Sequence, residues 1–256
     1  MEISKSKISL INSLSIGKYR KVHSLFVAEG EKIVSEILQS KLRIKYLICD
    51  KNYKIPDLLQ YIEIFSADNN TMKKLSNLKT QSQIIAVVET PKYELDYSNL
   101  LNGLTLCLDD IQDPGNLGTI IRICDWFGIE NIICSENSVD LYNPKVIQAT
   151  MGAFLRVNVF YKNLSEFIPE YKKITKNVCY GTFLKGKDIY KENLAEQALI
   201  VLGNEGNGIS KSLEKIIDSK LFIPSFSKNE KHSESLNISM AAAITCSEFC
   251  RKSGPV

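Results

Sequence analysis

Residues 198–210 read ALIVLGNEGNGIS, an apolar run followed by three glycines that surround a carboxylate. An apolar run that ends at a turn is typical of a buried strand in a parallel sheet. Glycine lets a ligand approach the backbone closely, and loops at the carboxyl ends of parallel strands are common small-molecule sites. The alternative is a simple tight turn, although three glycines around Glu205 exceed what a turn requires. The stretch therefore favours an α/β sheet with a ligand-binding loop.

The position and spacing of these glycines exclude two common phosphate-binding loops. The stretch does not match GxGxxG, and it is not a Walker loop because no GK[ST] follows it. A Rossmann-type enzyme places its glycine loop after the first strand of the domain, whereas Gly203 comes late in this chain. The sequence thus argues against an ordinary Rossmann-type methyltransferase or dehydrogenase.

Apolar runs recur on both sides of the glycine loop and are separated by segments of helical length. This alternation predicts a parallel α/β sheet with helices on both faces. The runs lie at 104–108, 131–134, 154–159, 177–183, 198–202 and 220–223.

A second cluster, LDDIQDPGNLGTIIR at 108–122, has the pattern of a strand, a tight turn and a helix start. Pro114 and Gly115 supply the turn, and the apolar stripe of the helix ends at Gly128. Arg122 lies off that stripe. Taken alone, a residue in this position is more often an ordinary surface arginine.

A third cluster lies near the end of the chain. Residues 221–224 read LFIP, in which proline ends a strand. Residues 235–244 read SLNISMAAAI, in which Ser235 is a candidate helix cap and the small residues allow close packing. The charged stretch SFSKNEKHSE, at 225–234, separates the two.

The first 90 residues form a separate, smaller pattern. Apolar spacing within 28–38 predicts a helix, the runs 44–49 and 84–88 predict strands, and 91–103 has the composition of a linker. This part carries 14 Lys and Arg against 9 Asp and Glu, whereas the remainder has 18 against 20. The excess indicates contact with a polyanion, although a solvated lysine-rich surface explains the charge at least as well.

The chain has 256 residues, enough for two domains, which we expect at 1–97 and 98–256. No apolar run approaches the roughly 20 residues that span a bilayer, and the first residues lack a signal-peptide pattern. A cytoplasmic protein without membrane contact is therefore expected. Seven scattered cysteines indicate reduced core thiols, and two histidines without CxxC or HExxH argue against a metal site.

In this order and spacing, the three clusters resemble the motifs of the SpoU (TrmH) class of SPOUT RNA methyltransferases. The matching segments are 113–118 with Arg122, 202–206 with Ser210, and 223–224 with 235–239. The front part is similar to the substrate-binding domain fused to many of these enzymes, through 26–30 and 74–88. The resemblance covers nearly the whole chain.

The resemblance implies a C-terminal SPOUT domain with a parallel sheet and a deep trefoil knot. A small, ribosomal-protein-like α/β substrate-binding domain precedes it. The implied activity is transfer of a methyl group from S-adenosyl-L-methionine to a ribose 2′-hydroxyl of RNA. The implied assembly is a homodimer with its active site at the subunit interface. 23S ribosomal RNA is favoured over transfer RNA because of the fused front domain.

The resemblance also implies roles for individual residues. Arg122 matches the family's catalytic arginine, and the positions expected to shape the catalytic centre beside it are Asn116, Glu205, Ser235 and Asn237. The positions expected to bind the cofactor are Thr182, Leu202, Gly203, Asn204, Gly206, Ile223, Pro224, Leu236 and Asn237. A guanidinium with a pKa above about 12 is an awkward general base, so Arg122 is expected to orient the hydroxyl and an adjacent phosphate as well.

The stretch 225–234 departs from the family pattern, because it is longer and lacks the glycine that relatives usually have there. Three alternative functions stay open from sequence. The chain could be a catalytically inactive RNA-binding protein of the same fold, a tRNA-directed 2′-O-methyltransferase, or an enzyme acting on a small nucleotide. Arg122 argues against the first, and only the α/β pattern and the glycine loop suggest the last.

Overall fold

The structure is a computed structural model that describes residues 1–54, 61–78, 81–229 and 233–251. Along these ranges, no helix has the length and apolar character needed to cross a membrane. The chain divides into two compact units, and each of them combines two separate segments of sequence. The first contains Met1–Tyr93 and Asp140–Leu155, and the second contains Glu94–Val139 and Arg156–Val256.

Strands and helices alternate along most of the chain. The strands are β1 (Leu25–Glu29), β2 (Ile44–Asp50), β3 (Ile64–Ala67), β4 (Ile84–Glu89), β5 (Leu104–Leu108), β6 (Asn131–Ser135), β7 (Asn158–Lys162), β8 (Val178–Asp188), β9 (Ala198–Leu202) and β10 (Ser219–Phe222). The helices are α1 (Lys5–Ser13), α2 (Gly17–His23), α3 (Glu31–Leu38), α4 (Asn69–Leu75), α5 (Pro114–Trp126), α6 (Pro144–Thr150), α7 (Leu164–Thr175), α8 (Lys211–Glu214) and α9 (Ile238–Arg251).

The first unit is built on a mixed four-stranded sheet in the order β1-β4-β2-β3. β4 runs antiparallel to β1 and β2, and β2 pairs in parallel with β3. The predicted strands at 44–49 and 84–88 correspond to β2 and β4, and the predicted helix corresponds to α3. The sequence analysis predicted no strand at β1 or β3.

The segment Asp140–Leu155 belongs to the first unit, where an ion pair holds its beginning. The buried Arg20 donates from Nε and Nη2 to Asp140 Oδ2 at 2.7 and 2.5 Å. Nearby in sequence, the Tyr142 ring packs against Phe26 with ring centroids 4.6 Å apart. The placement of this segment depends on contacts between residues 120 positions apart, which a boundary drawn along the sequence near residue 97 does not describe.

The second unit contains a six-stranded sheet in the order β10-β8-β9-β5-β6-β7. All neighbouring strands in it are parallel, which confirms the predicted parallel α/β sheet. Residues of α7 such as Phe167 and Tyr171 share one buried cluster with Cys107 of β5 and Val201 of β9. α5 packs against α9. Because the strands are parallel, the loops that follow β5, β9, β8 and β10 lie along one edge of the sheet.

The strand predicted at 154–159 exists but is displaced, because only its last two residues lie in β7 (Asn158–Lys162). Ala153–Leu155 form a short 3₁₀ turn, and β7 begins at Asn158. Phe154 is buried because it packs edge-on against Phe26, with ring centroids 6.2 Å apart, and it pairs with no strand. Apolar character alone does not distinguish a core side chain in a turn from one in a strand.

All seven cysteines are free thiols, and all except Cys250 are buried. Burial raises the pKa of Cys179 and Cys246 to about 12, so these thiols stay protonated at neutral pH. We expect the native protein to react slowly with iodoacetamide, with Cys250 modified first, because a protonated, buried thiol is a poor nucleophile. Mass spectrometry after timed labelling measures this, with urea-unfolded protein as the control. Rapid native modification of Cys179 would contradict the expectation.

Candidate active site

The glycine-rich loop after β9 is held closed by Asn204. The backbones of Asn204 and Gly208 exchange hydrogen bonds of 3.0 and 2.9 Å. The Asn204 Oδ1 accepts from the amides of Gly206 and Asn207 at 2.9 and 3.0 Å. An added Cβ at Gly203 would lie 2.2 Å from the carbonyl carbon of Gly208, so the turn requires glycine at 203. The loop is therefore a closed, fixed turn.

The same loop is fastened to the chain that leaves β5. The Asn204 Nδ2 donates to the carbonyl oxygen of Asp110 at 2.8 Å. The buried carboxylate of Asp109 accepts from the amide of Ser210 at 2.7 Å through Oδ2. Both loops stand at the carboxyl edge of the sheet because β5 and β9 are neighbouring parallel strands. This fixes the start of α5 against the glycine loop.

Asn116 is the centre of a polar network at the start of α5. Its backbone is set by the helix cap, because Asp113 Oδ1 accepts from the Asn116 amide at 2.8 Å. The Asn116 Nδ2 donates to Glu205 Oε1 at 2.8 Å, and its Oδ1 accepts from Asn237 Nδ2 at 3.0 Å. Three of the residues expected to shape the catalytic centre thus meet, although they come from three distant parts of the sequence.

Ser239 completes this network; it lies in the matched segment 235–239, but the sequence analysis assigned it no role. Ser239 is buried, and its hydroxyl lies 2.5 Å from Asn237 Oδ1 and 3.3 Å from Asn116 Oδ1. In the sequence it stands among small residues that indicate only close helix packing. A signal was nevertheless present, because a serine on the buried side of a helix needs a hydrogen-bond partner.

The expectation that Ser235 caps the last helix is wrong. α9 begins at Ile238, and Oδ1 of Asn237 accepts from the Ser239 amide at 2.9 Å. Asn237 therefore performs the capping, since an N-cap side chain must stand directly before the first helical turn. Ser235 is exposed and makes no hydrogen bond with any residue in the described ranges. The structure does not join it to the network around Asn116.

Asn116→Asp is expected to lower the methyl transfer that the family resemblance implies about tenfold at neutral pH, because it replaces the amide donor to Glu205 with a second negative charge. Two adjacent carboxylates raise each other's pKa, so acidification protonates one of them and restores a donor. The activity relative to the unmodified protein should therefore recover as the pH is lowered. Steady-state rates across pH measure this recovery. Asn207→Asp, in the glycine-rich loop that also contains Glu205, is the matched control for the added charge. A pH-independent deficit would contradict the explanation.

Arg122 lies on the exposed surface of α5. Its side chain makes no hydrogen bond or ion pair with the residues that the structure describes. It follows Asn116 by six residues, which on a helix places it about 9 Å further along the axis and on another face. The structure therefore leaves the guanidinium available to a ligand and does not bring it into the Asn116 network.

The residues expected to bind the cofactor lie within β8, at and after the end of β9, after β10, and directly before α9. Leu202 and Gly203 are buried, Ile223 and Pro224 are half-buried, and Leu236 leaves 50% of its surface exposed. The Thr182 hydroxyl lies 3.5 Å from the carbonyl oxygen of Val201. The carboxyl edge of the sheet thus places apolar side chains next to polar backbone groups. Among the described residues, no group of three or more His, Cys, Asp or Glu is arranged to hold a metal ion.

A parallel sheet with a closed glycine turn and an amide-carboxylate network at its carboxyl edge defines a class of α/β enzymes that bind a small cofactor at that edge. Family comparison identifies which one. Residues 103–247 match the SpoU rRNA methylase family, and residues 5–86 match the MRM3-like substrate binding domain. Since the first match covers more than half of the chain, this protein belongs to the SpoU rRNA methylase family.

Individual relatives agree with this assignment. The chain is 30% identical over 240 residues, 93% of each chain, to the 23S rRNA (guanosine(2553)-2′-O)-methyltransferase RlmP of Bacillus subtilis. It is 34% identical to the solved structure of a putative RNA methyltransferase of the TrmH family from Porphyromonas gingivalis, with a TM-score of 0.85 and coverage of 98% and 100%. The AviRb methyltransferase from Streptomyces viridochromogenes, solved with the cofactor AdoMet, has the same fold at 19% identity, with a TM-score of 0.85 over 98% of both chains.

These matches confirm several predictions made from the sequence. The SpoU class, the α/β fold with a front substrate-binding domain, and an RNA methyltransferase activity are all as predicted. A nucleotide enzyme of unrelated class is thereby excluded.

Proposed function

We propose that this protein transfers a methyl group from S-adenosyl-L-methionine to a ribose 2′-hydroxyl of ribosomal RNA. The observation that carries the proposal is the hydrogen-bonded set of Asn116, Glu205 and Asn237, assembled beside a glycine turn in a chain of the SpoU rRNA methylase family. Within that family, a polar network at this edge is suited to positioning a neutral sugar hydroxyl.

The residues of the network would orient the reacting groups. A neutral hydroxyl is a poor nucleophile, so the site must hold it in line with the methyl group and help to remove its proton. Positioning alone contributes roughly 7–11 kcal/mol in well-oriented reactions. Arg122 would donate hydrogen bonds to the hydroxyl oxygen and to a neighbouring phosphate. Glu205, which already accepts from Asn116, would fix the amide that faces the sugar.

The cofactor-binding positions fit a methyl donor with an adenine ring and a charged amino acid tail. Leu236 is apolar yet half exposed, and Ile223 is only half-buried, so both offer surface to an adenine. The turn at Gly203 brings backbone close without side-chain obstruction, and Asn204 keeps that turn closed. When bound, the sulfonium of S-adenosyl-L-methionine supplies an activated methyl group. Thr182, Leu202, Gly206, Pro224 and Asn237 would line the same site.

We favour ribosomal over transfer RNA as the substrate. The RlmP relative, which aligns over nearly the whole chain, is named for methylation of 23S rRNA. The front unit matches a substrate-binding domain, and the first 90 residues hold the excess of basic side chains. A polyanionic substrate of large size is consistent with both features.

We further propose a homodimer whose interface includes α5 and α9. Trp126 at the end of α5 is 84% exposed and Met240 in α9 is 54% exposed, although large apolar side chains usually avoid water. A second copy of this chain covering them would bring its own surface close to Arg122. Trp126 is the only tryptophan, so its emission should shift to longer wavelength on dilution if the dimer dissociates. Sedimentation of a monomer at all concentrations would contradict the dimer.

We also propose the deep trefoil knot that the family resemblance implies. In its support, Asn237 and Ser239, near the end of the chain, hydrogen bond to Asn116 at the start of α5. An experimental structure in which the segment after β10 passes outside the loop after β9 would contradict it.

The decisive experiment uses methyl-labelled S-adenosyl-L-methionine. The protein is incubated separately with unmodified ribosomal RNA and with unmodified transfer RNA, and the labelled nucleotide is mapped by mass spectrometry. We expect label on one ribose of ribosomal RNA. Label on transfer RNA alone would show that transfer RNA is the substrate. Binding of RNA without any label would favour the catalytically inactive alternative.

A further inference from the structure

A cavity of about 200 Å³ opens in the first unit, and none of the residues that line it belongs to the Asn116 network. Its wall combines cationic side chains, hydroxyl groups and an aromatic ring. The lining residues are Arg20, Lys21, Ser24, Thr90, Pro91, Lys92, Asp140 and Tyr142. Three cations face one carboxylate there, so the cavity carries positive charge.

Arg20 supplies a fixed guanidinium with unused bonding capacity. Arg20 is 5% exposed, and four of its five N–H groups donate hydrogen bonds. Two of these bonds go to Asp140 Oδ2, and the other two go to the carbonyl oxygens of Leu14 and Ser15. The second N–H of Nη2 has no acceptor among the described residues. Because the other four hydrogen bonds hold the guanidinium in place, a ligand that bonds to this N–H would cause little further loss of side-chain entropy.

Thr90 provides a second unused polar group in the same wall. Its Oγ1 is buried and has no hydrogen-bond partner within the described ranges. A buried hydroxyl without a partner costs free energy, and such groups are few in native proteins. Lys21 and Lys92 are exposed at the cavity and add charge. Burial raises the pKa of Tyr142, so its hydroxyl keeps its proton and remains a donor.

We propose that this cavity binds a phosphate group of the RNA substrate. The donors available are a guanidinium N–H, hydroxyls and two ammonium groups, which is the chemistry that an oxyanion requires. The proposal rests on the proposed RNA methyltransferase function and adds to it a specific anchoring point that shares no residue with the Asn116 network. A phosphate contact there would hold the RNA without reading its sequence.

Binding of a 23S rRNA transcript tests the proposal, measured by filter binding at about 50 and 200 mM salt. The double variant Lys21→Ala, Lys92→Ala should weaken binding about tenfold or more, and the slope of log affinity against log salt should fall by roughly 0.7 to 0.9 for each lysine. Lys41→Ala is the matched control, because Lys41 is an exposed lysine of the same unit that does not line the cavity. It should leave the slope unchanged.

Thr90→Val separates binding from folding. Valine has nearly the shape of threonine and removes the unpartnered hydroxyl, so the thermal midpoint without RNA should stay equal or rise. RNA affinity should nevertheless fall several-fold. A variant that binds RNA normally at an unchanged salt slope, or loses stability together with binding, would overturn the role of this hydroxyl.

Two titrations identify the source of the phosphate. A methylation assay distinguishes failure of this inference from failure of the proposed function. Inorganic phosphate and adenosine 5′-monophosphate are titrated into the unmodified protein. Tight binding of the mononucleotide, with RNA affinity independent of Lys21 and Lys92, would overturn the RNA assignment. If the unmodified protein methylates the transcript while the double variant binds it equally well, only this inference fails. If the unmodified protein neither binds nor methylates ribosomal RNA, the proposed function fails as well.

Discussion

Replacing Arg122 with alanine is expected to lower the rate of methyl transfer about a thousandfold while leaving S-adenosyl-L-methionine affinity within about twofold. The structure supports this separation, because the Arg122 side chain is exposed on α5 and makes no hydrogen bond or ion pair with the described residues, including the glycine turn. Its loss therefore breaks no hydrogen bond or ion pair of the side chain. Single-turnover methylation of a ribosomal RNA transcript measures the rate, and calorimetry measures cofactor affinity.

Two further variants sharpen this test of Arg122. Arg122→Lys retains charge but loses the planar donor pair, so it should recover only a small part of the rate. Arg43→Ala removes an 80% exposed arginine of the first unit and should leave the rate unchanged. Equal rates in the unmodified protein and in Arg122→Ala would remove this side chain from the mechanism.

The regular part of the fold was predictable from the sequence because its signals are local. Apolar runs between polar segments predicted β5, β6, β8, β9 and β10, and the spacing of these runs predicted that the sheet is parallel, although it did not predict the strand order. The run at 154–159 did not give the correct strand bounds, because the apolar side chain of Phe154 packs on Phe26 and takes no part in the sheet. The placement of the segment Asp140–Leu155 likewise could not be predicted, because it depends on the ion pair between Asp140 and Arg20, which lie far apart in sequence.

The candidate site was predictable as a set of residues but not as a geometry. The family resemblance gave Asn116, Glu205 and Asn237, and the structure adds that hydrogen bonds join them. Which side chain caps α9 could not be decided from the pattern, because Ser235 and Asn237 are both good capping residues. The fit of Ser239 between two amides arises only when α9 packs against α5.

Replacing Gly203 with alanine is expected to damage both stability and cofactor binding. A Cβ at this position would lie 2.2 Å from the Gly208 carbonyl carbon and from the Ile209 amide nitrogen, and backbone atoms cannot yield as a flexible side chain would. The turn must therefore open, which should lower the free energy of unfolding by about 1–3 kcal/mol. Urea unfolding measures the stability change, and calorimetry should show at least about a tenfold loss of S-adenosyl-L-methionine affinity.

Gly206 provides the matched control within the same turn. An added Cβ there meets only Asn204 Oδ1, at an ordinary contact distance of 3.5 Å, so Gly206→Ala should leave the free energy of unfolding nearly unchanged. Any loss of cofactor affinity in that variant then reports close approach of the ligand, and Gly206→Val should increase the loss because its branched side chain is larger. If all three variants bind the cofactor normally, the donor does not lie against this turn, because a ligand packed on it must sense both a shifted backbone and an added side chain.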